Sequence, residues 1–214
     1  RPPMRCPPPR QVFGRPWAGI SGQPVDSDMA GPLGLDRPGG IIVSGVHSAS
    51  PFRRAGLMVG DVITHVDGQE VHTPNEMIYR MSVAGLDEIA KVRVHRDGSV
   101  QELDVAMISA PDTPPRDTRI LGARSILPDL KLARVNPAVI AEMNLPLEIS
   151  GVVVVDAGRL GPRVGLRSGD VIVAVNGLEM THPQDIEDAF NGQVRRFEIV
   201  IQRGDRRSLL RFRV

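Results

Sequence analysis

Serine-protease or zinc chemistry in this chain would draw on its serines, five histidines and one cysteine. A serine nucleophile needs a histidine base, an orienting acid and donors for the oxyanion. The chain has no Gly-x-Ser-x-Gly elbow and no Gly-Asn-Ser-Gly or Gly-Asp-Ser-Gly stretch. His47, His65, His72, His95 and His182 are scattered through expected hairpins and helix starts. There is no His-x-x-x-His pair and no second cysteine to join Cys6 in a zinc site, and no Walker-type phosphate loop. The reading is therefore of a chain without catalytic residues, metal or cofactor of its own. What remains is hydrogen bonding by the backbone, and the residues that shape the backbone fall in one stretch that occurs twice.

The first copy reads Ala55-Gly56-Leu57-Met58-Val59-Gly60-Asp61-Val62-Ile63-Thr64-His65-Val66-Asp67-Gly68. The second reads Val164-Gly165-Leu166-Arg167-Ser168-Gly169-Asp170-Val171-Ile172-Val173-Ala174-Val175-Asn176-Gly177, each glycine 109 residues downstream of its partner. Gly56 and Gly165 suit the left-handed residue that ends a short helix. Gly60 and Gly169 allow a second turn, where Asp61 or Asp170 can bond local backbone. The Val-Ile-x-x-Val run is a short buried strand, and Asp67-Gly68 or Asn176-Gly177 a tight hairpin turn. His65 has no counterpart in the second copy, where Ala174 stands.

The elements around these stretches set the domain plan. The 214 residues, 41% hydrophobic, suffice for one large or two small cores, and the repeat decides for two. Residues 1–12 read as a Pro/Arg-rich linker, 13–110 and 119–214 as the two domains, and 111–118 as a stiff joint containing Pro111, Pro114 and Pro115. A basic surface tether is the alternative for the tail, which with Arg15 carries four arginines and no acid. The opening Arg1-Pro2-Pro3, without an initiator Met, reads as a processed or excised product. A net charge of +1 excludes a general polyanion binder. No apolar run approaches the ~18 residues of a membrane span. Cys6, alone, forms no internal disulfide. Lysine occurs only at 91 and 131, so the basic residues are mostly arginine, which reads as genome composition.

Within the first domain, Trp17-Ala18-Gly19-Ile20 leads into a strand that Pro24 limits. Asp26 caps a short helix toward Leu35. Gly40 to Val46 reads as a strand, and Ser50 to Ala55 as a helical turn. Thr73, Pro74, Glu76 and Gly85 fit the cap, first position, first turn and stop of a helix over 74–84. Lys91 to His95 and Val100 to Val105 form a last hairpin around Asp97-Gly98. In the second domain, Leu127 to Leu145 aligns without gaps on Trp17 to Leu35, with Asn136 for Asp26. Gly151 to Val155, Pro183 to Phe190 and the turn at Arg203-Gly204-Asp205 complete the order. The fold class is α+β, mostly β: two small, partly open barrels of five to six strands, each with two helices.

The order of these elements and the Ala-Gly-Leu…Gly-Asp-Val-Ile…Val-Asp-Gly signature resemble a PDZ domain of the bacterial kind, twice over. The pair resembles the C-terminal region of the HtrA/Deg (Do-like) serine proteases. The resemblance covers residues 13–107 and 119–214 and implies capture of a peptide's C-terminus as an added strand. It places the carboxylate-binding loop at Trp17, Ala18, Gly19 and Ile20, where successive N–H groups form an anion nest. It gives Ser21, Gly22 and Gln23 to the incoming strand, and Pro74, Ile78 and Met81 to the facing helix wall. Without histidine at the start of that wall, a hydrophobic terminal residue is implied. Ile20, Ile78 and Met81 read equally well as core.

The second copy departs from this pattern. Its loop is Leu127, Pro128, Asp129 and Leu130, followed by Lys131, so one N–H is missing and a carboxylate stands where an anion should dock. Its wall carries Pro183, Glu187 and Phe190. Docking or assembly is favoured there over peptide capture. Arg195, Arg196, Arg203, Arg206, Arg207, Arg211 and Arg213 face only Glu198 and Asp205 in the last hairpin. They read as a solvated strand face that discourages edge pairing. With aromatics at 3%, no nucleic-acid partner is expected.

The function implied is that of the peptide-binding and assembly module of an envelope serine endopeptidase, located in the periplasm or envelope. Its partners would be peptide C-termini, a trypsin-like protease domain and further copies in an oligomer. A stand-alone PDZ scaffold or secretion adaptor is the rival reading, and the PDZ segment of an intramembrane metalloprotease a weaker third.

Overall fold

The computed structural model describes residues 15–192 and 194–213. The linker reading of residues 1–12, Cys6, and Phe13 where the first domain was placed to begin all lie outside the described residues. Among the described residues the chain is mostly β, with five α-helices and two antiparallel sheets, neither closed into a barrel.

The first sheet contains β1 (Ile20–Pro24), β2 (Ile41–Val46), β3 (Val62–Val66), β4 (Gln69–Glu70), β5 (Ile89–Arg96) and β6 (Ser99–Ala106). Its order is β1-β2-β3-β5-β6, with β4 folded back on β3. Asp67 and Gly68 both take positive φ, 48° and 73°, which matches the twist of the β3–β4 hairpin. The last hairpin runs longer than expected, Ile89 pairing with Ala106 at one end and Arg96 with Ser99 at the other. Three helices accompany this sheet where two were expected: α1 (Ser27–Ala30), α2 (Pro51–Arg54) and α3 (Pro74–Ala84).

Helix α1 stops at Ala30 rather than reaching Leu35, because Pro32 has no N–H to continue the ladder. Its cap is as expected, the Asp26 carboxylate accepting from the N–H groups of Asp28 and Met29. Helix α3 has the expected bounds. Thr73 Oγ1 accepts from Glu76 N–H at 3.2 Å, and Gly85 ends the helix at φ 93°. Val25, Ala30 and Val62 form one buried cluster under Met29, Leu33, Leu35 and Ile42.

The second sheet has seven strands, more than the five or six expected: β7 (Arg119–Ile120), β8 (Lys131–Arg134), β9 (Val152–Asp156), β10 (Val171–Val175), β11 (Leu178–Glu179), β12 (Arg196–Arg203) and β13 (Arg206–Arg213). The order is β13-β12-β10-β9-β8-β7, with β11 on β10. Helices α4 (Pro137–Met143) and α5 (Pro183–Asn191) and a 3-10 turn at Gly161–Val164 accompany it. Asn136 caps α4, accepting from Val139 N–H at 2.9 Å. The core gathers Leu121, Leu130, Leu132, Ile172, Ile186, Phe190 and Phe197. Phe190 meets Phe197 edge-on with centroids 5.6 Å apart, and Phe197 stacks on Phe212 at 5.4 Å.

The repeat extends to irregularities. A register shift falls between Ile63 and His65 in β3 and between Ile172 and Ala174 in β10, positions 109 residues apart in both cases. Matching bulges bend both strands at the same place, as expected of features built into a fold.

Candidate functional site

The loop ahead of β1 begins at Trp17. Trp17 is buried, and its N–H donates to Ile108 O at 2.8 Å. Gly19 takes φ 59°, a left-handed conformation that turns successive amides toward one side. Gly19 O accepts from His47 N–H at 2.9 Å. His47 Nδ1 in turn accepts from Ala49 N–H at 3.0 Å, and burial pushes the His47 pKa down. Ala18 and Ile20 are half-buried, and Ser21 and Gln23 exposed.

Strand β1 is the end strand of its sheet among the described residues. Its approach to β2 requires a glycine: a Cβ on Gly22 would lie 2.6 Å from Ile42 O and 2.8 Å from Ile41 Cγ2. On α3, Pro74 is half-buried and Ile78 is 42% exposed, while Met81 is fully buried. Met81 thus lies in the interior. The outward apolar surface of α3 is carried by Ile78, Tyr79 and Val83, and the last two were absent from the sequence reading.

In the second unit the aligned loop, residues 127–130, shares one left-handed position with the first and carries different chemistry. Asp129 takes φ 65°, matching Gly19 at 59°, so an acid occupies the left-handed position. Asp129 is exposed, Pro128 and Lys131 half-buried, and Leu127 and Leu130 buried. Gly158 abuts this loop, where a Cβ would lie 3.0 Å from Asp129 O. On α5, Pro183 and Phe190 are buried, and Glu187 Oε2 pairs with Arg119 Nη1 at 3.0 Å. Arg119 belongs to β7, an element the sequence did not announce.

Two further groupings escaped the sequence reading. Three of the four histidines within residues 13–110 are not scattered: His65, His72 and His95 line one cavity of about 360 Å³ with Glu70, Arg37 and Arg93. Burial first, then Arg93, pushes the His65 pKa down. Among the described residues no group of three or more His, Cys, Asp or Glu is disposed to hold a metal ion.

The second grouping is a clamp present in both units. Asp61, 1% exposed, receives Arg96 Nε at 2.6 Å and Nη2 at 2.7 Å, and Arg96 Nη2 also donates to Gly56 O at 2.8 Å. Asp170 receives Arg203 Nε at 2.6 Å and Nη2 at 2.8 Å, with Gly165 O as the third acceptor. Met58 and Arg167 N–H groups complete the two carboxylates, each at 2.8 Å, the local bonds the sequence suggested.

Residues 18–107 match the PDZ domain family. A protein of Marinomonas sp. named "Probable periplasmic serine endoprotease DegP-like" is 33% identical over 169 residues, covering 78% of this chain and 35% of that protein. Namesakes in Pseudomonas putida and Brucella suis are 33% and 31% identical over 167 and 177 residues, covering 76% and 82% of this chain and 34% of each relative. The chain therefore spans about a third of the length of the curated relatives it matches. Among solved structures, the HtrA-type protease AlgW with decapeptide is 29% identical, with a TM-score of 0.41 over 48% of this chain and 31% of that one. No helix among the described residues is long and apolar enough to cross a membrane.

Proposed function

The chain resembles the C-terminal PDZ region of the HtrA/Deg serine proteases, and from that resemblance we propose that it is the peptide-binding and assembly module of a Do-like endopeptidase. It serves protein quality control in the periplasm or envelope. The first domain, residues 13–110, captures hydrophobic C-termini of substrates by strand addition. The joint 111–118 connects it to residues 119–214, which serve docking or assembly. The partners are a trypsin-like protease domain and further copies of the parent protein.

The observation that supports capture best is the left-handed Gly19, which stands immediately ahead of β1. Strand addition uses backbone groups for affinity and side-chain sites for selectivity. Trp17 to Ile20 would receive the terminal carboxylate, Ser21 to Gln23 the peptide backbone, and Ile78 with Pro74 the terminal side chain. Met81, fully buried, would support that wall from beneath.

The test is fluorescence anisotropy with a labelled peptide ending in a hydrophobic residue, as free acid and as amide. Binding of the acid that is lost on amidation, and lost in Gly19→Glu and Ile78→Arg, is the expected result. Equal binding of acid and amide to the wild-type chain would overturn carboxylate capture.

A further inference from the structure

Strand β7 stands where a captured peptide would stand. It runs antiparallel along the outer edge of β8, the strand that aligns with β1, with Arg119 opposite Leu132 and Ile120 opposite Lys131. Leu121 N–H donates to Leu130 O at 2.9 Å, and Arg134 N–H to Arg116 O at 2.6 Å. Leu121 O accepts from Asp129 N–H at 2.9 Å, inside the loop that aligns with the carboxylate receptor. The Leu121 side chain is 1% exposed and lies in the core cluster with Leu127, Leu130, Ile186 and Phe190. Arg119 is tied to Glu187 on α5, and Arg116 to Glu142 on α4 through two bonds of 2.7 and 2.9 Å.

We propose that residues 116–121 are an internal ligand of the second unit, with Leu121 in the place of a substrate's terminal residue. The departures in the loop follow from this. A peptide's end brings a charged carboxylate and needs several N–H donors. Leu121 is mid-chain and offers a neutral carbonyl, for which the single Asp129 N–H suffices. The missing N–H of Pro128 is then no loss, and the Asp129 carboxylate repels nothing. Glu187, in the position of Ile78, is read by Arg119 instead of an apolar side chain. The tether of five residues between Leu121 and Leu127 makes this ligand intramolecular, so it outcompetes free peptides by effective concentration. The second unit therefore captures no substrate terminus while β7 is in place.

This inference rests on the strand-addition reading of the fold, so its test is separated from that of the first domain. The probe is fluorescein-labelled Arg-Asp-Thr-Arg-Ile-Leu, the sequence of residues 116–121, as acid and as amide. The protein is the full chain carrying Gly19→Glu, with and without Arg119→Pro. Arg119→Pro removes the guanidinium together with an N–H that strand alternation turns toward β8, because the N–H of Leu121 points there.

The expected result is no saturable binding with β7 in place, and a gain of at least about tenfold for acid and amide alike once it is released. Binding that is present in the Gly19→Glu chain and unchanged by Arg119→Pro would overturn the proposal, as would a folded Arg119→Pro chain that binds neither form. Should Arg119→Pro unfold the unit, the charge pair gives the answer. Arg119→Glu is expected to raise binding and Glu187→Arg, added to it, to abolish it again; a response of Arg119→Glu indifferent to residue 187 would refute the latch. Failure of the hydrophobic-ended acid on the wild-type chain would instead count against the first domain alone.

Discussion

Replacing Arg96 by Met tests whether the Asp61–Arg96 clamp holds the first unit together. The substitution keeps the aliphatic stem and deletes the guanidinium, leaving the Asp61 carboxylate buried with one remaining donor, Met58 N–H. Removing one partner of a fully buried ion pair costs about 3–5 kcal/mol. The Arg96 side chain is 20% exposed, so water reaches part of the site, and with the Met58 bond retained the expected loss is about 2–3 kcal/mol. Arg203 is 39% exposed, and its removal is expected to cost the second unit about 1–2 kcal/mol. Trp17 is the only tryptophan, so its fluorescence follows the first unit while far-UV circular dichroism follows both. With a urea slope of about 1 kcal/mol per molar, Arg96→Met lowers the fluorescence midpoint by about 2–3 M. A further prediction comes from the sign of the buried charge: Asp61→Asn added to Arg96→Met recovers part of the loss, because no unpaired carboxylate remains. A fluorescence shift below about 0.5 M, or a double variant less stable than Arg96→Met alone, would refute the clamp as a buried ion pair.

Ile78→Arg, on an exposed helix position, is expected to leave the unfolding free energy in urea within about 0.5 kcal/mol of wild type while weakening hydrophobic-ended peptides at least about tenfold, read by anisotropy. Gly22→Ala forces β1 away from the Ile42 carbonyl and is expected to cost about 1–3 kcal/mol in denaturant unfolding, with peptide affinity falling in parallel. His47 has its pKa lowered by burial, so the folded state disfavours its proton relative to the unfolded chain. Its contribution to stability is therefore complete above the unfolded value of about 6.5 and is lost as pH falls toward the lower folded value. Urea midpoints at pH 8 and pH 5 are expected to differ less in His47→Gln than in wild type, and an unchanged difference would exclude His47 as the source.

Local signals in the sequence specify local structure where near neighbours decide the outcome. Thr73, Pro74 and Gly85 bound α3 because capping is settled within one turn. Asp67-Gly68 and Asn176-Gly177 turn their hairpins for the same reason, both residues of each pair having positive φ. Helix α1, expected toward Leu35, ends at Ala30 because Pro32 removes a donor from its ladder. The clamp was half legible: Asp61 and Asp170 were given their local backbone bonds, but Arg96 and Arg203 lie 35 and 33 residues away. The available signal was that each copy carries an arginine at the start of its last turn, Arg96-Asp97-Gly98 and Arg203-Gly204-Asp205. Strand β7 left no signal, since two residues show no periodicity and its strand character comes from β8 beside it. The histidine cavity was missed because β3, β5 and the loop at His72 meet only in three dimensions.

The differences between the copies carry more functional information than their likeness. Both keep the buried aspartate with its bidentate arginine and the bulge in the central strand. Those features are answers to one folding problem, so their repetition says little about a ligand. With that backbone retained, nothing in the fold requires Ile78 to become Glu187 or Gly19 to become Asp129. Gly19 at φ 59° is conformationally easier than an acid at φ 65°, since the left-handed region favours glycine. The second unit accepts that strain where Asp129 N–H holds the Leu121 carbonyl, and Glu187 holds Arg119 two residues earlier in the same segment. Two substitutions far apart in sequence thus converge on one short strand of the chain, which is the pattern expected of a groove adapted to a fixed occupant.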